Sequence, residues 1–172
     1  METSFAQALD ALYVLLDQPA PLREEIADGR HEISVDTRAG QVGLRLGVSP
    51  NGRSVLIETV DGPRFAADAA MRERQIAAVL HTALGLAASN GTSAGAEAVP
   101  DEPDALRLRL QARVSLAAPR SQVGVALKSA IEDMIEQMEW QGAHLDGSGL
   151  AGTASGLRGQ PAPAADAFIF RP

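Results

Sequence analysis

The feature that most constrains the fold is an unbroken two-residue alternation over residues 106–116. Apolar residues occupy every second position, and arginine or other polar residues mostly fill the positions between them. The apolar positions are Leu106, Leu108, Leu110, Ala112, Val114 and Leu116. Because successive side chains of a strand point to opposite faces of its sheet, this pattern predicts one long strand with one buried face. Such a strand must pair along its length, so the fold must contain a sheet.

Residues 31–60 show the same two-residue period and predict the partner strands. The alternating apolar positions of the first two strands are Ile33, Val35, Val42, Leu44, Leu46 and Val48. Ala39-Gly40 separates these strands, and Asn51-Gly52 follows the second, where Asn and Gly tolerate the positive φ of a tight turn. With a third strand over 54–60, the segment predicts an antiparallel three-stranded meander.

A period of 3.6 residues predicts three helices, over 4–17, over 67–88 and from about Ser121 to Gln141. Gly142 follows the third helix and is expected to end it as a C-cap. The predicted fold class is α+β, in the order α-β-β-β-α-(β)-β-α, with a twisted antiparallel sheet flanked by helices and assembled as a homodimer.

Two segments lack either period. Residues 89–104 are rich in Ser, Gly, Ala, Asp and Pro, and they predict a loop that can include one short edge strand. Residues 142–167 contain few large apolar groups to offset the entropy of ordering them. We therefore expect a domain over 1–141 and a flexible tail over 142–172, whose Phe168-Ile169-Phe170 either stays disordered or docks on a groove.

Composition excludes several classes of function. The chain has no cysteine, so it has no disulfide, thiol nucleophile or thiolate metal site. Its net charge of −7 disfavours nucleic acid and anionic membranes as partners. No basic region followed by an apolar stretch opens the sequence, and no apolar run approaches the roughly 18 residues of a spanning helix. We expect a soluble protein of the bacterial cytoplasm.

Candidate catalytic residues are sparse. His31, His81 and His144 are far apart in the predicted elements, and no pair of them has metal-ligand spacing. The carboxylates of the third helix, Glu132, Asp133, Glu136 and Glu139, are typical of a solvated helix face. We therefore expect no catalytic, metal-binding or cofactor-binding residue and no enzymatic activity.

Apolar residues on faces that should be polar predict partner-binding positions. Val14 falls opposite the apolar stripe of the first helix. If the alternate residues of the third strand face the core, Leu56 and Val60 point to the other side of the sheet, beside Gly43 and Gly47. The alternative is that these are scattered surface apolar residues, which are common in soluble proteins.

The predicted dimer interface combines small residues on the reverse side of the second helix with the long strand. Small side chains let another backbone approach closely, although they are equally tolerated at a solvent-exposed surface. The interface positions are Ala78, Thr82, Gly85, Leu106, Leu108 and Leu110.

The order of elements over residues 4–141, together with the net acidity, resembles the class I chaperones of type III secretion systems. The resemblance rests on the helix Phe5 to Leu16, the alternation Ile33 to Val60 and the strand Leu106 to Leu116. The family usually has two strands between its second and third helices, whereas residues 92–104 give at best a weak first one. The Ala, Gly and Arg content and the tail look similar to the general effector chaperones of plant-pathogen systems.

The resemblance implies an obligate homodimer without ATPase activity. Such a protein binds the unfolded N-terminal segments of secreted effector proteins and keeps them competent for secretion, and the secretion ATPase is a further candidate partner. Two other functions stay open. One is a regulatory adaptor of the same fold that binds a folded protein, and the other is a small enzyme or ligand-binding domain with a pocket between sheet and helix.

Overall fold

The computed structural model describes residues 3–37, 40–89, 91–145 and 169–171. Its elements, in chain order, are α1 (Phe5–Leu15), β1 (Arg30–Thr37), β2 (Gly40–Val48), β3 (Ser54–Thr59), α2 (Ala69–Ser89), β4 (Ser93–Val99), β5 (Glu102–Ser115), α3 (Arg120–Leu145) and β6 (Ile169–Arg171). The strands form one antiparallel sheet in the order β4-β5-β3-β2-β1-β6. The predicted α+β class is confirmed.

The long alternating strand organises the sheet as the sequence predicts. β5 pairs with β3 on one side and with β4 on the other, and it begins at Glu102, before the first leucine of the alternation. β4 is the edge strand that the composition of residues 89–104 left open. Its sequence, SAGAEAV, has no large apolar residue before Val99, so its period was not visible. Asp101, with φ of 65°, lies in the turn between the two strands.

Helix α3 is longer than predicted, and the assignment of Gly142 as its C-cap is wrong. The helix continues to Leu145, whose side chain is buried. The side-chain amide of Gln75 on α2 donates a hydrogen bond to the carbonyl oxygen of Leu145 at 2.8 Å. Burial and this contact favour continuation of the helix beyond a glycine that could have ended it. The rest of the predicted tail up to Phe168 lies outside the described residues, and β6 follows it.

The core lies between one face of the sheet and the helices α1 and α3, with α2 packed beside β4. Ser4 caps α1 through its contact with the backbone N–H of Gln7, and the Gln7 side chain accepts a hydrogen bond from the Ser4 N–H in return. The cap begins the helix at Phe5 and so sets which residues face the sheet. Leu9, Leu12 and Tyr13 are buried as a result.

Close contact between α1 and α3 depends on Gly124. A Cβ atom at this position would lie 2.8 Å from the Cβ of Ala11 and 3.0 Å from its carbonyl carbon. Real Cβ atoms do not approach other atoms so closely in a packed interior, so only glycine fits without a shift of one helix. Gly142 in the same helix is different, because its Cβ would lie 3.8 Å from the Cγ of Pro63.

These two glycines make a matched pair for measurement. We expect Gly124→Ala to lower the free energy of unfolding by about 1–3 kcal/mol through overpacking against Ala11. We expect Gly142→Ala to raise it by up to about 1 kcal/mol, because alanine favours the helix and meets only an ordinary contact. Urea denaturation of both variants measures the difference, and equal effects would show that the α1–α3 contact does not limit the packing.

Candidate functional site

The face of the sheet opposite the core carries two of the predicted binding residues. Val55 and Ile57 of β3 are fully buried against the core, whereas Leu56 and Val60 are half-buried on the other side. The face assignment made from the alternation is therefore correct. This face, defined by Leu56 and Val60 and the residues around them, is called the outer face below.

Two glycines of β2 flank these side chains as expected. Leu56 is aligned with Gly47 on β2 and with Arg113 on β5. A Cβ at Gly43 would lie 3.4 Å from the Cβ of Val60, so the missing side chain leaves one flank of Val60 uncovered. Leu56 and Val60 thus each lie beside a position of β2 that has no side chain.

Ion pairs between β5 and neighbouring segments lie on the same face of the sheet. Arg109 contacts Glu58 at 2.7 Å and Glu97 at 2.9 Å, and Arg107 contacts Asp61 at 2.8 Å. The arginines of β5 were predicted to be the polar face of the strand, and two of them are paired with acids of the same chain. Because these arginines are paired with acids of the same chain, a partner would interact with this part of the outer face mainly through apolar contacts and hydrogen bonds.

Val14 is exposed, as the helical pattern predicts, with 72% of its surface accessible. Leu15 and Leu22 beside the end of α1 are also exposed. Helix α1 packs on the core face of the sheet, so Val14 lies on the opposite side of the molecule from Leu56 and Val60. The structure does not bring the three predicted binding residues into one patch. It places two shallow apolar sites on opposite sides of the sheet.

The predicted interface of α2 is open to a partner. Ala78 and Gly85 are exposed and Thr82 is half-buried, and its hydroxyl donates to the carbonyl oxygen of Ala78 at 3.0 Å. Leu80 and Leu84, expected on an apolar face, are 51% and 75% exposed. Within the part of the chain that the structure describes, helix α2 therefore presents exposed apolar surface.

The strand positions assigned to the interface behave differently. Leu108 and Leu110 are buried in the core of the single chain, and Leu106 is half-buried. Their side chains point to the face that α3 covers, so Leu108 and Leu110 cannot contact a second copy. The alternation identified the buried face of the strand, but the burial comes from this chain's own helix.

A buried polar pair was not found from the sequence. The Tyr13 hydroxyl and Nε2 of His31 share a hydrogen bond of 2.6 Å. Burial, and secondly the negative charge of Glu25, raises the pKa of Tyr13 to about 12. Burial lowers the pKa of His31, against a smaller opposing effect of Glu25. The only signal in the sequence was a single tyrosine next to the apolar stripe of α1, and nothing local connects it with a histidine 18 residues away.

A cavity of about 400 Å³ borders this pair and is lined by Glu25, Asp28, Arg30, His31, Glu32 and Arg45. At neutral pH the tyrosine is protonated and the histidine is uncharged, and each is the hydrogen-bond partner of the other. These states suit a structural hydrogen bond that fixes β1 to α1 better than proton transfer to a ligand.

Metal-binding groups and membrane-spanning helices are both absent from the residues that the structure describes. No group of three or more His, Asp or Glu side chains in that part of the chain could hold a metal ion. No helix there is both long enough and apolar enough to cross a membrane.

Comparison of the chain with protein-family models, with curated proteins and with solved structures found no match.

The Tyr13–His31 pair makes stability depend on pH. Because the pKa of folded His31 lies below its unfolded value near 6.5, the unfolded chain takes up the proton first as the pH falls. The free energy of unfolding should thus decrease from about pH 6.5 downward. We expect His31→Gln to weaken this decrease between about pH 7 and 5, whereas His81→Gln, at an exposed position, should leave it unchanged.

Tyr13→Phe tests the same contact at constant pH. Removal of the hydroxyl leaves Nε2 of buried His31 without its partner, which we expect to cost about 1–3 kcal/mol of unfolding free energy at about pH 7.5. Chemical denaturation measures it, and an unchanged stability would mean that water replaces the hydroxyl.

Proposed function

We propose that this protein is a dimeric, non-enzymatic chaperone of the bacterial cytoplasm that holds the unfolded N-terminal segment of type III secretion effectors. The observation that carries the proposal is the distribution of its exposed and half-buried apolar groups. Val14 lies on the helix side and Leu56 and Val60 lie on the outer face. A compact ligand cannot contact both sites, whereas an extended polypeptide that passes around the sheet can.

The order of elements also supports the proposal. Strands β4 and β5 lie between α2 and α3, which is the arrangement that the resemblance to class I secretion chaperones implies. The sequence indicated only the second of these strands. The complete set over residues 5–145 is helix, three-stranded meander, helix, hairpin and helix.

Charge and surface chemistry fit a holder of unfolded chains. The net charge of −7 keeps a protein with exposed apolar groups in solution. Arg107 and Arg109 are paired with Glu58, Asp61 and Glu97, so near Val60 a bound segment would be recognised mainly by its apolar side chains. Shallow apolar sites also suit release, because each contributes only part of the affinity.

One observation favours a second candidate, a small ligand-binding domain. The cavity beside His31 has ionisable groups of both signs on its wall, Glu25 and Arg45 among them. A polar metabolite of compatible size would bind there if this were the functional site, and Arg45→Ala would abolish its binding. Substitutions of Val14 or Leu56 would have no effect on it. An adaptor for a folded partner differs from both, because the partner would protect a folded surface rather than a segment.

Purification of the tagged chain from the cytosol of its bacterium tests the proposal. We expect a secreted protein to co-purify with the chain. Limited proteolysis of the complex should leave the N-terminal segment of the secreted protein protected and the rest of it cleaved. Protection of an entire folded domain would support the adaptor instead. Protection of no polypeptide at all would contradict the chaperone.

We expect a homodimer of twice 18.0 kDa in light scattering, because Leu80 and Leu84 of α2 are exposed among the residues that the structure describes. The variant Leu80→Asp/Leu84→Asp should be a folded monomer, since two charges in a buried interface are costly. Leu22→Asp is the matched control, an exposed leucine outside α2, and should remain a dimer. A monomeric wild-type chain at about 50 µM would remove this support for the proposal.

The two apolar sites are tested by Val14→Asp and Leu56→Asp, with Val125→Asp as an exposed control on α3. Each should change the free energy of unfolding by about 0.5 kcal/mol or less if the position is a surface one. Binding of the protease-protected segment should weaken by about 2 kcal/mol or more for either site variant and stay unchanged for the control. Unchanged affinity with an intact fold would exclude these surfaces.

A further inference from the structure

The chain's own C-terminal residues form an extra strand at one edge of the sheet. β6 pairs antiparallel with β1, with Ser34 aligned with Arg171, Val35 with Phe170 and Asp36 with Ile169. β1 would otherwise be the last strand at this edge, with unpaired backbone groups directed outward. The β1 edge therefore already accepts an extended segment by backbone pairing.

This occupation is partial. β1 has eight residues, of which β6 pairs with three in the C-terminal half. Within the described residues, no strand pairs with the edge of Arg30–Ile33 that points away from β2. The Arg30 N–H donates a hydrogen bond to a carboxylate oxygen of Asp28 at 3.0 Å. This free half borders the cavity of about 400 Å³ beside His31. An incoming strand could begin pairing there before β6 leaves.

The connection between α3 and β6 explains how so short a strand can stay bound. Residues 146–168 join Leu145 to Ile169, and 23 residues can span at most roughly 80 Å. Because β6 belongs to the same chain, its pairing with β1 is intramolecular and needs less intrinsic affinity than the pairing of a free peptide. Once displaced, the same segment can return as soon as the edge is free.

We propose that β6 is a built-in occupant of the β1 edge, which an extended segment of the bound substrate displaces by pairing first with Arg30–Ile33. The inference rests on the proposed function for the origin of that segment. The position of the β1 edge also suits this role, because the edge lies between the helix side, which carries Val14, and the outer face, which carries Leu56. A polypeptide that crosses from one site to the other passes the edge of the sheet.

The register gives the chemistry of the displacing segment. Phe170 is aligned with Val35, a core-face position, and the next core-face positions along β1 are Ile33 and His31. Glu32, Ser34 and Asp36 alternate with them on the outer face. We therefore expect an extended segment of at least five residues with apolar side chains at alternate positions and polar or basic ones between them.

A labelled peptide with the sequence of residues 164–172 serves as the probe, so the experiment does not require the substrate to be identified. The full-length wild-type chain should bind it weakly, because β6 holds the edge. The full-length Ile169→Asp/Phe170→Asp variant should bind it at least about tenfold more tightly, because two charged side chains weaken the pairing of the tethered competitor with the edge. Fluorescence anisotropy measures both. Leu150→Asp/Leu157→Asp adds the same charges elsewhere in the C-terminal region and should behave like wild type.

A second measurement places the peptide. Backbone amides of Ser34 to Asp36 should exchange faster in the double variant than in wild type and regain protection when the peptide binds. Arg171→Pro, which removes one backbone N–H of β6, should show the same effect in a milder form. The melting temperature of each variant confirms that the fold is retained.

Three results would overturn the inference. Equal peptide binding by wild type and the double variant would show that β6 does not occupy the edge. Protection of a segment other than β1 would place the peptide elsewhere. A fall in molecular mass of the double variant would show that β6 pairs with a second copy. None of these depends on whether a secreted protein co-purifies with the chain, so failure here is distinguishable from failure of the proposed function.

Discussion

The contact between Gly124 and Ala11 is the constraint on which the rest of the molecule depends. Because no side chain separates the two backbones, α1 and α3 can lie side by side on one face of the sheet. This placement buries Leu9, Leu12 and Tyr13 of α1 and brings the Tyr13 hydroxyl to His31 on β1. Helix α2 completes the cover beside β4, where it contributes buried Val79 to the core. The core therefore lies on one face of the sheet, and Leu56 and Val60 lie on the other.

The sequence predicted those parts of the fold in which large apolar side chains repeat at a regular spacing. β5, the meander and the three helices all have such a repeat. The repeat in β3 also placed Leu56 and Val60 on the face of the sheet opposite the core. β4 was predicted only as an option because alanine occupies the three positions aligned with the core-facing leucines of β5. The end of α3 was missed because a glycine's local preference is weak beside the burial of Leu145 and its contact with Gln75.

The candidate sites show the same limit. A pattern in one element shows which residues share a face, and that sufficed to find Val14 exposed. It cannot show which other element covers that face, so Leu108 and Leu110 were assigned to a second subunit when α3 covers them. The Tyr13–His31 bond and the pairing of β6 with β1 join residues distant in sequence. Such contacts follow from the packing of the whole chain rather than from any local signal.

The two edges of the sheet end in different ways, and this difference bears on aggregation. At one edge, β4 is short, carries small residues and Glu97, and has a register irregularity between Ala98 and Val99, all of which discourage pairing with another sheet. The β1 edge is longer and has buried Ile33 and Val35 at its inward positions. There β6 supplies the cover. Loss of β6 would leave Ser34–Asp36 without this pairing, and an unpaired strand edge is a template for aggregation through strand pairing between molecules.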